Sequence, residues 1–204
     1  ITTALSAVYS AQAIVMAGAH TVFADIDPSR LTLDPAAVEA LVGPKTAAIM
    51  PVHLYGQPAD LPALATVADR HGLAIIEDCC QAHLATCREA PVGTVGVAAA
   101  YSFYPTKNLG ALGDGGAVTT RDSQLETRLR RLRNGGQTTR NRHTEPSAHS
   151  RLDEIQAAIL RVRLPLLPSW TARRRAIAAQ YRDGLANAPV LVPANLDTGH
   201  VYHL

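Results

Sequence analysis

Along the first 119 residues, apolar positions alternate between helical stripes and short continuous runs. The stripes predict helices over 6–17, 35–42 and 60–70, and the runs predict strands over 20–25, 46–52, 73–77, 97–103 and 116–119. That alternation is the pattern of βαβ units, so the expected fold class is α/β: a mostly parallel sheet flanked by helices. Leu73, Ala74, Ile75 and Ile76 form an unbroken apolar run, as expected of a strand covered on both faces. Ser6 is a candidate cap for the first helix, which ends at Gly18. Asp34 before Pro35 and Asp60 before Leu61 are N-cap signals for the next two.

Beyond Arg121 the pattern turns helical. Residues 122–133 are Arg-rich, with Leu125, Leu129 and Leu132 interleaved at helical spacing. A polar Gly/Thr/Asn/Arg loop follows over 134–150, and 151–164 place Leu152, Ile155, Ile159 and Val162 on one stripe. Pro165 and Pro168 are expected to break or kink that helix, and a last helix runs from Ser169 to about Gly184. The loop is the one long irregular stretch, and loops of that length in compact domains are usually functional or disordered.

Composition adds three restrictions. With 204 residues, 47% apolar and 18% charged, the chain fits one ordinary globular domain and excludes a disordered one. The formal charge of +2 is unevenly spread: residues 1–120 carry 5 basic and 10 acidic side chains, residues 121–204 carry 14 and 7. The basic run Arg128, Arg130, Arg131, Arg133 reads as the solvated face of an amphipathic helix, so no nucleic-acid partner is expected. Three cysteines, two of them adjacent (Cys79, Cys80), make neither a disulfide framework nor a zinc site, and point to a cytoplasmic protein. The adjacent pair is expected to pack as small apolar side chains. The first charged residue is Asp25, but Thr2, Thr3, Ser6, Ser10, Gln12 and His20 interrupt the apolar start, so no membrane span or signal peptide is expected. The sequence begins at Ile1 without an initiator Met and stops at Leu204 in what reads as a strand start, as if cut at both ends.

Open parallel sheets bind ligands beyond the carboxyl ends of their strands, and two such exits stand out. One is Glu77-Asp78-Cys79-Cys80-Gln81; the other runs from Ser102 through Lys107 to the glycines Gly110, Gly113, Gly115 and Gly116. The second holds one of only two lysines in the chain, the other being Lys45 in a polar turn. Neither the G-x-x-x-x-G-K-[ST] phosphate loop nor the G-x-G-x-x-G dinucleotide pattern is present. A lysine at one exit, a carboxylate at its neighbour and a hydroxyl five residues before the lysine suit pyridoxal 5'-phosphate (PLP). The amine forms a Schiff base, the carboxylate keeps the pyridine nitrogen protonated, and hydroxyl and backbone N–H groups hold the phosphate. His53 and His83 lie near strand ends, where an isolated histidine is more often satisfied locally than catalytic.

Four strings in order, PVHLYGQPAD (51–60), AIIEDCCQAH (74–83), SFYPTKNLGALGDGG (102–116) and SRLDEIQAAIL (150–160), resemble successive motifs of the DegT/StrS group of sugar aminotransferases. The resemblance covers essentially the whole chain. It implies the fold of aspartate aminotransferase, PLP fold type I, working as a homodimer with active sites at the subunit interface. Residues 1–150 would be the PLP-binding large domain without its N-terminal segment, and 151–204 the helical connection to a truncated small domain.

Position by position, the resemblance makes Lys107 the Schiff-base lysine and Asp78 the partner of the pyridinium nitrogen. Gln81 would contact the cofactor near its ring hydroxyl and Ser102 its phosphate. Where the family has an Asn reaching the phosphate from the other subunit, this chain has His149, which still offers a hydrogen-bond donor. An aromatic ring the family often sets over the cofactor falls at Ala7, with Tyr9 as a substitute two residues on. The implied reaction carries an amino group from an amino acid, glutamate or glutamine, to the keto group of a nucleotide-linked deoxysugar. Arg140 and Arg142 are candidates to meet the diphosphate. An aminocyclitol precursor as substrate and a non-catalytic PLP-fold fragment are the alternatives. Sugar dehydration on the same scaffold commonly uses His in place of the lysine, so Lys107 argues against it.

Overall fold

The computed structural model describes residues 1–204. At its centre lies a four-stranded sheet in the order Gly116–Thr119, Ala98–Ser102, Ala74–Asp78, Ala48–Ile49. The two inner pairings are parallel, setting Ile76 beside Ala98 and Ala48 beside Ala74. Gly116–Thr119 closes the far edge antiparallel, with Gly116 opposite Ser102. On the other edge, the parallel pair Thr2–Thr3 and Phe23–Ala24 continues the layer through the Met50 N–H, which donates to the Ile1 carbonyl at 2.8 Å.

Two helices cover one face. Pro35–Leu41 starts on Asp34, whose Oδ1 accepts the Ala36 N–H at 2.9 Å. Leu61–His71 starts on Asp60, whose Oδ1 accepts the Ala63 N–H at 3.2 Å, and it ends at Gly72 in the left-handed region, φ 63°. Both caps are the ones the sequence signals, and each supplies an acceptor for an otherwise orphaned N–H. Between helices and sheet, Leu33, Val38, Ile49, Leu64, Val67 and Ile75 form the main core. Each such side chain contributes about 1.5–3 kcal/mol on burial.

Several expected boundaries move. The first helix is Tyr9–Met16, entered from Val8 with no side-chain cap, so Ser6 does not cap it. Pro165 and Pro168 do not leave a gap: Glu154–Arg163 runs into a single 3-10 turn, Leu164–Leu166, and then into the helix Leu167–Gly184. Each proline stands in the first turn of its segment, where its missing N–H costs nothing, so Ser169 lies inside the last helix rather than at its start. The loop 134–150 contains a small antiparallel hairpin, Gln137–Thr139 with Arg142–His143, turning at Asn141 with φ 63°. On the stripe Leu152, Ile155, Ile159, Val162, the outer residues Ile155 and Val162 stay 73% and 71% exposed. The helix instead buries Leu160 against Leu109, Ala111 and Leu167.

Residues 201–204 make no strand pairing. They fold back over the sheet's carboxyl edge, where Val201 joins a second core of Leu61, Cys79, Ala82, Ala85, Cys87, Val92 and Ala99. No helix is long and apolar enough to cross a membrane.

Candidate active site

The strand Ala74–Asp78 ends in two carboxylates, and strand alternation sends them to opposite faces. Glu77 is fully buried and accepts backbone N–H groups from Gly93 (2.6 Å), Val95 (2.9 Å) and Gly96 (2.7 Å). His53 Nδ1 accepts the Ala59 N–H at 3.0 Å, so its proton sits on Nε2, which donates to Glu77 Oε2 at 3.1 Å. Burial pushes the Glu77 carboxyl upward, but the His53 and backbone donors outweigh it and hold the group below its ordinary value. Glu77 and His53 are therefore a structural bolt between the strand and the turn at Gly93–Gly96. Their atoms and Cys79 Sγ lie within 4.8 Å of one another, yet a metal would have to displace N–H donors from both carboxylate oxygens.

Asp78 is built differently. Ser10, buried in the first turn of Tyr9–Met16, donates its hydroxyl to Asp78 Oδ2 at 2.6 Å, and the Cys80 N–H donates to Oδ1 at 3.0 Å. One donor on each oxygen fixes the carboxylate plane and leaves acceptor capacity on both. Gln81 follows on the same turn. Its Oε1 accepts the Tyr55 N–H at 2.6 Å, which orients the amide so that Nε2 keeps its hydrogens for another partner.

The neighbouring strand exit carries Ser102 and Lys107. Ser102 Oγ accepts the Tyr104 N–H at 3.2 Å, leaving the hydroxyl proton available. The Lys107 N–H donates to the Tyr104 carbonyl at 2.9 Å, and the loop turns tightly through Gly110, where a Cβ would stand 2.5 Å from the Pro105 carbonyl. The helix Glu154–Arg163 holds this loop from outside: Arg163 Nη1 donates to the Gly110 carbonyl at 2.5 Å, and Gln156 Oε1 accepts the Leu112 N–H at 2.9 Å.

The positive charge of Lys107 favours the Cys80 thiolate and disfavours a protonated His83, both as secondary contributions. Burial and then Asp78 push the Cys80 thiol up to about 12, and burial pushes Cys79 higher still, so both cysteines are neutral thiols. His83 is buried between the Tyr101 and Phe103 rings and neither ring nitrogen completes a hydrogen bond, although the Ser102 backbone approaches it. Burial, then Lys107 and His203, lower its pKa to about 4.

Asp78 and Gln81 thus lie at one strand exit and Ser102 and Lys107 at the adjacent parallel one, while Tyr9 neighbours Ser10, the donor to Asp78, and His149 lies in the polar loop. Tyr9 is 74% exposed, and His149 lies on the surface, where its Nε2 accepts the Arg151 Nε–H at 2.7 Å. No hydrogen bond joins either to those four residues. Arg140 and Arg142 are exposed on the hairpin. Sequence reasoning missed Ser10 and Tyr55, the side chain and the backbone that orient Asp78 and Gln81, because each contact spans a long stretch of chain with no local pattern to mark it.

The model of the DegT/DnrJ/EryC1/StrS aminotransferase family matches residues 1–204. The chain is 50% identical over 194 residues to the dTDP-3-amino-3,4,6-trideoxy-alpha-D-glucose transaminase of Streptomyces venezuelae, covering 94% of this chain and 51% of that protein. Among solved structures it superposes on S. venezuelae DesV in complex with a ketimine intermediate at a TM-score of 0.95 and 47% identity, over 99% of this chain and 55% of the other. It also superposes on NtdA of Bacillus subtilis with bound cofactor PMP at 0.91 and 29% identity, over 99% and 47%. The chain spans about half the length of the curated relatives it matches. By fold, motif order and end-to-end family match, the chain belongs to the DegT/DnrJ/EryC1/StrS aminotransferase family.

Proposed function

We propose that this chain is the cofactor-binding part of a PLP-dependent aminotransferase that moves an amino group from an amino acid, glutamate or glutamine, to the keto group of a nucleotide-linked deoxysugar. The observation that carries the reading is the placement of Lys107 and Asp78 at the exits of adjacent parallel strands, each loop held by its own hydrogen bonds. The sugar class follows the S. venezuelae transaminase, whose name specifies a dTDP-aminodeoxysugar.

The residues fit the cofactor. Asp78 keeps acceptor capacity for a ring N–H, Gln81 Nε2 has hydrogens free for a ring oxygen, and the Ser102 hydroxyl can donate to a phosphate. PLP, when bound, supplies an aldehyde that takes an amine and a ring that accepts the electron pair released at the amino acid's α-carbon. Lys107 Nζ would be the amine that takes this aldehyde. Once free, the same amine would act as base and then acid, taking the proton released at the donor α-carbon and returning one for the keto substrate. Asp78, oriented by Ser10 and the Cys80 N–H, would hold the ring nitrogen's proton. His149 Nε2 is occupied by Arg151, so Nδ1–H is its free donor, the one available for a phosphate across a homodimer interface. Exposed apolar residues on two elements, Val15 and Met16 on one and Ile155 and Val162 on the other, are consistent with a homodimer, and the cysteine usage with the cytoplasm.

The test is chemical. The full-length protein is incubated with PLP, reduced with borohydride and mapped by mass spectrometry; the expected label is on Lys107. Lys107→Ala should abolish both label and amino transfer, a loss on the order of a thousandfold or more. A labelled residue other than Lys107, or unchanged turnover in the variant, would refute the reading.

A further inference from the structure

We propose that residues 197–203 form a clasp that sets Lys107 and Gln81 in fixed relation to each other, with Asn108 and His203 as positioning residues. The inference rests on the PLP reading for its consequence and on geometry for its existence.

Asn108, the residue after Lys107, is buried. Its Oδ1 pairs with His203 Nδ1 at 3.0 Å and its Nδ2 donates to the Val201 carbonyl at 3.3 Å. Asn108 Oδ1 can only accept, so the His203 proton resides on Nδ1. Burial, then Lys107 and Arg174, lower the His203 pKa to about 4, which keeps that ring neutral. The His203 N–H donates to the Tyr55 carbonyl at 2.7 Å, and the Tyr55 N–H donates to Gln81 Oε1 at 2.6 Å. One continuous path therefore runs from Lys107 through Asn108, His203 and Tyr55 to Gln81.

The surroundings are shaped for this path. Tyr55 and Tyr202 both hold the left-handed conformation, φ 59° and 47°, which side-chain-bearing residues keep only where packing imposes it. Gly56, at φ 87°, has no room for a side chain: a Cβ would stand 2.6 Å from Val201 Cγ2 and 3.1 Å from the Gln81 carbonyl. The Gly56 carbonyl accepts the Val201 N–H at 3.1 Å. At the start of the clasp Asp197 meets Arg30 at 2.5 Å and Gln57 Nε2 at 2.7 Å. From the last helix, Arg174 Nη1 donates to the Tyr202 and His203 carbonyls at 3.1 and 3.2 Å, and Arg175 Nε to the His200 carbonyl at 2.9 Å. A segment held from both sides transmits position between the two loops it joins.

The test uses the full-length protein in wild-type, Asn108→Ala, His203→Ala and doubly substituted forms. Val38→Ala, a cavity in the main core, serves as a destabilised control. Amide hydrogen exchange is followed at Lys107 and Tyr55, and PLP affinity by absorbance titration. In His203→Ala both amides should exchange at least tenfold faster than in Val38→Ala. PLP should bind about tenfold more weakly in Asn108→Ala, which loses both the His203 and the Val201 contacts, and the double variant should be no weaker, because His203→Ala removes a contact already lost. His203→Asn, which keeps an N–H donor, should recover part of the loss. Exchange that speeds up at only one of the two amides, or losses that add in the double variant, would overturn the clasp. A wild type that shows the exchange pattern but takes up no PLP would leave the clasp standing and sink the cofactor reading.

Discussion

Glu77 and Asp78 are neighbours with the same chemistry and opposite fates. Glu77 faces inward and its two oxygens are filled by three backbone N–H groups and a histidine. Asp78 faces the strand's open end and takes one donor on each oxygen. The difference comes from the two-residue period of the strand, which sorts adjacent carboxylates into a structural fastener and one with acceptor capacity to spare. Perturbation of the carboxyl marks the fastener here, so a displaced pKa is no guide to function unless the hydrogen-bond partners are counted.

Substitutions can separate the two roles. The largest effect is expected from Asp78→Asn, which should lower amino transfer on the order of a hundredfold with the melting temperature nearly unchanged, as judged by steady-state kinetics beside calorimetry. Glu77→Gln should do the reverse: about 3 kcal/mol of stability lost, a fall of about 6–12 °C in melting temperature, and a surviving cofactor site in the folded fraction. Should Glu77→Gln instead leave stability intact and remove activity, the division of labour drawn above is wrong.

Acid should act next. His83, His200 and His203 each have folded-state pKa values lowered to about 4 from an ordinary 6.5. Burial is the first cause in all three. Between those values the unfolded chain binds more protons than the folded one, so stability falls as pH drops from about 6.5 toward 4. Melting temperature measured across that window should decline steadily, and His83→Gln should flatten the slope. The smallest effect belongs to Ser10→Ala, expected to weaken PLP binding roughly fivefold, about 1 kcal/mol, in an absorbance titration. A variant as tight as wild type would show that the Cys80 N–H alone suffices to orient Asp78.

The sheet and its caps were legible because their signals are local. Asp34-Pro35 and Asp60-Leu61 announce helix starts within two residues, and Leu73–Ile76 announces a covered strand by composition. The proposed site residues Asp78, Gln81, Ser102 and Lys107 stood out because each ends or follows a strand inside a recognisable string. What escaped depends on contacts between distant segments. Ser10 meets Asp78 across 68 positions and His203 meets Asn108 across 95, separations that no periodicity reports. The hairpin at 137–143 escaped for another reason: its strands are polar on both faces, so the alternation that betrays a strand is missing.

The basic second half of the chain has a use that its charge did not suggest. Arg163, Arg174 and Arg175 spend their guanidinium hydrogens on main-chain oxygens of the lysine loop and the C-terminal clasp, with Arg163 and Arg174 each reaching two carbonyls. Under the proposed function, dicarbonyl reagents that consume arginine side chains would therefore abolish amino transfer by loosening this scaffold, even where no arginine touches substrate. Protection against such reagents by added sugar nucleotide would report tightening of the frame as readily as occupation of an anion subsite.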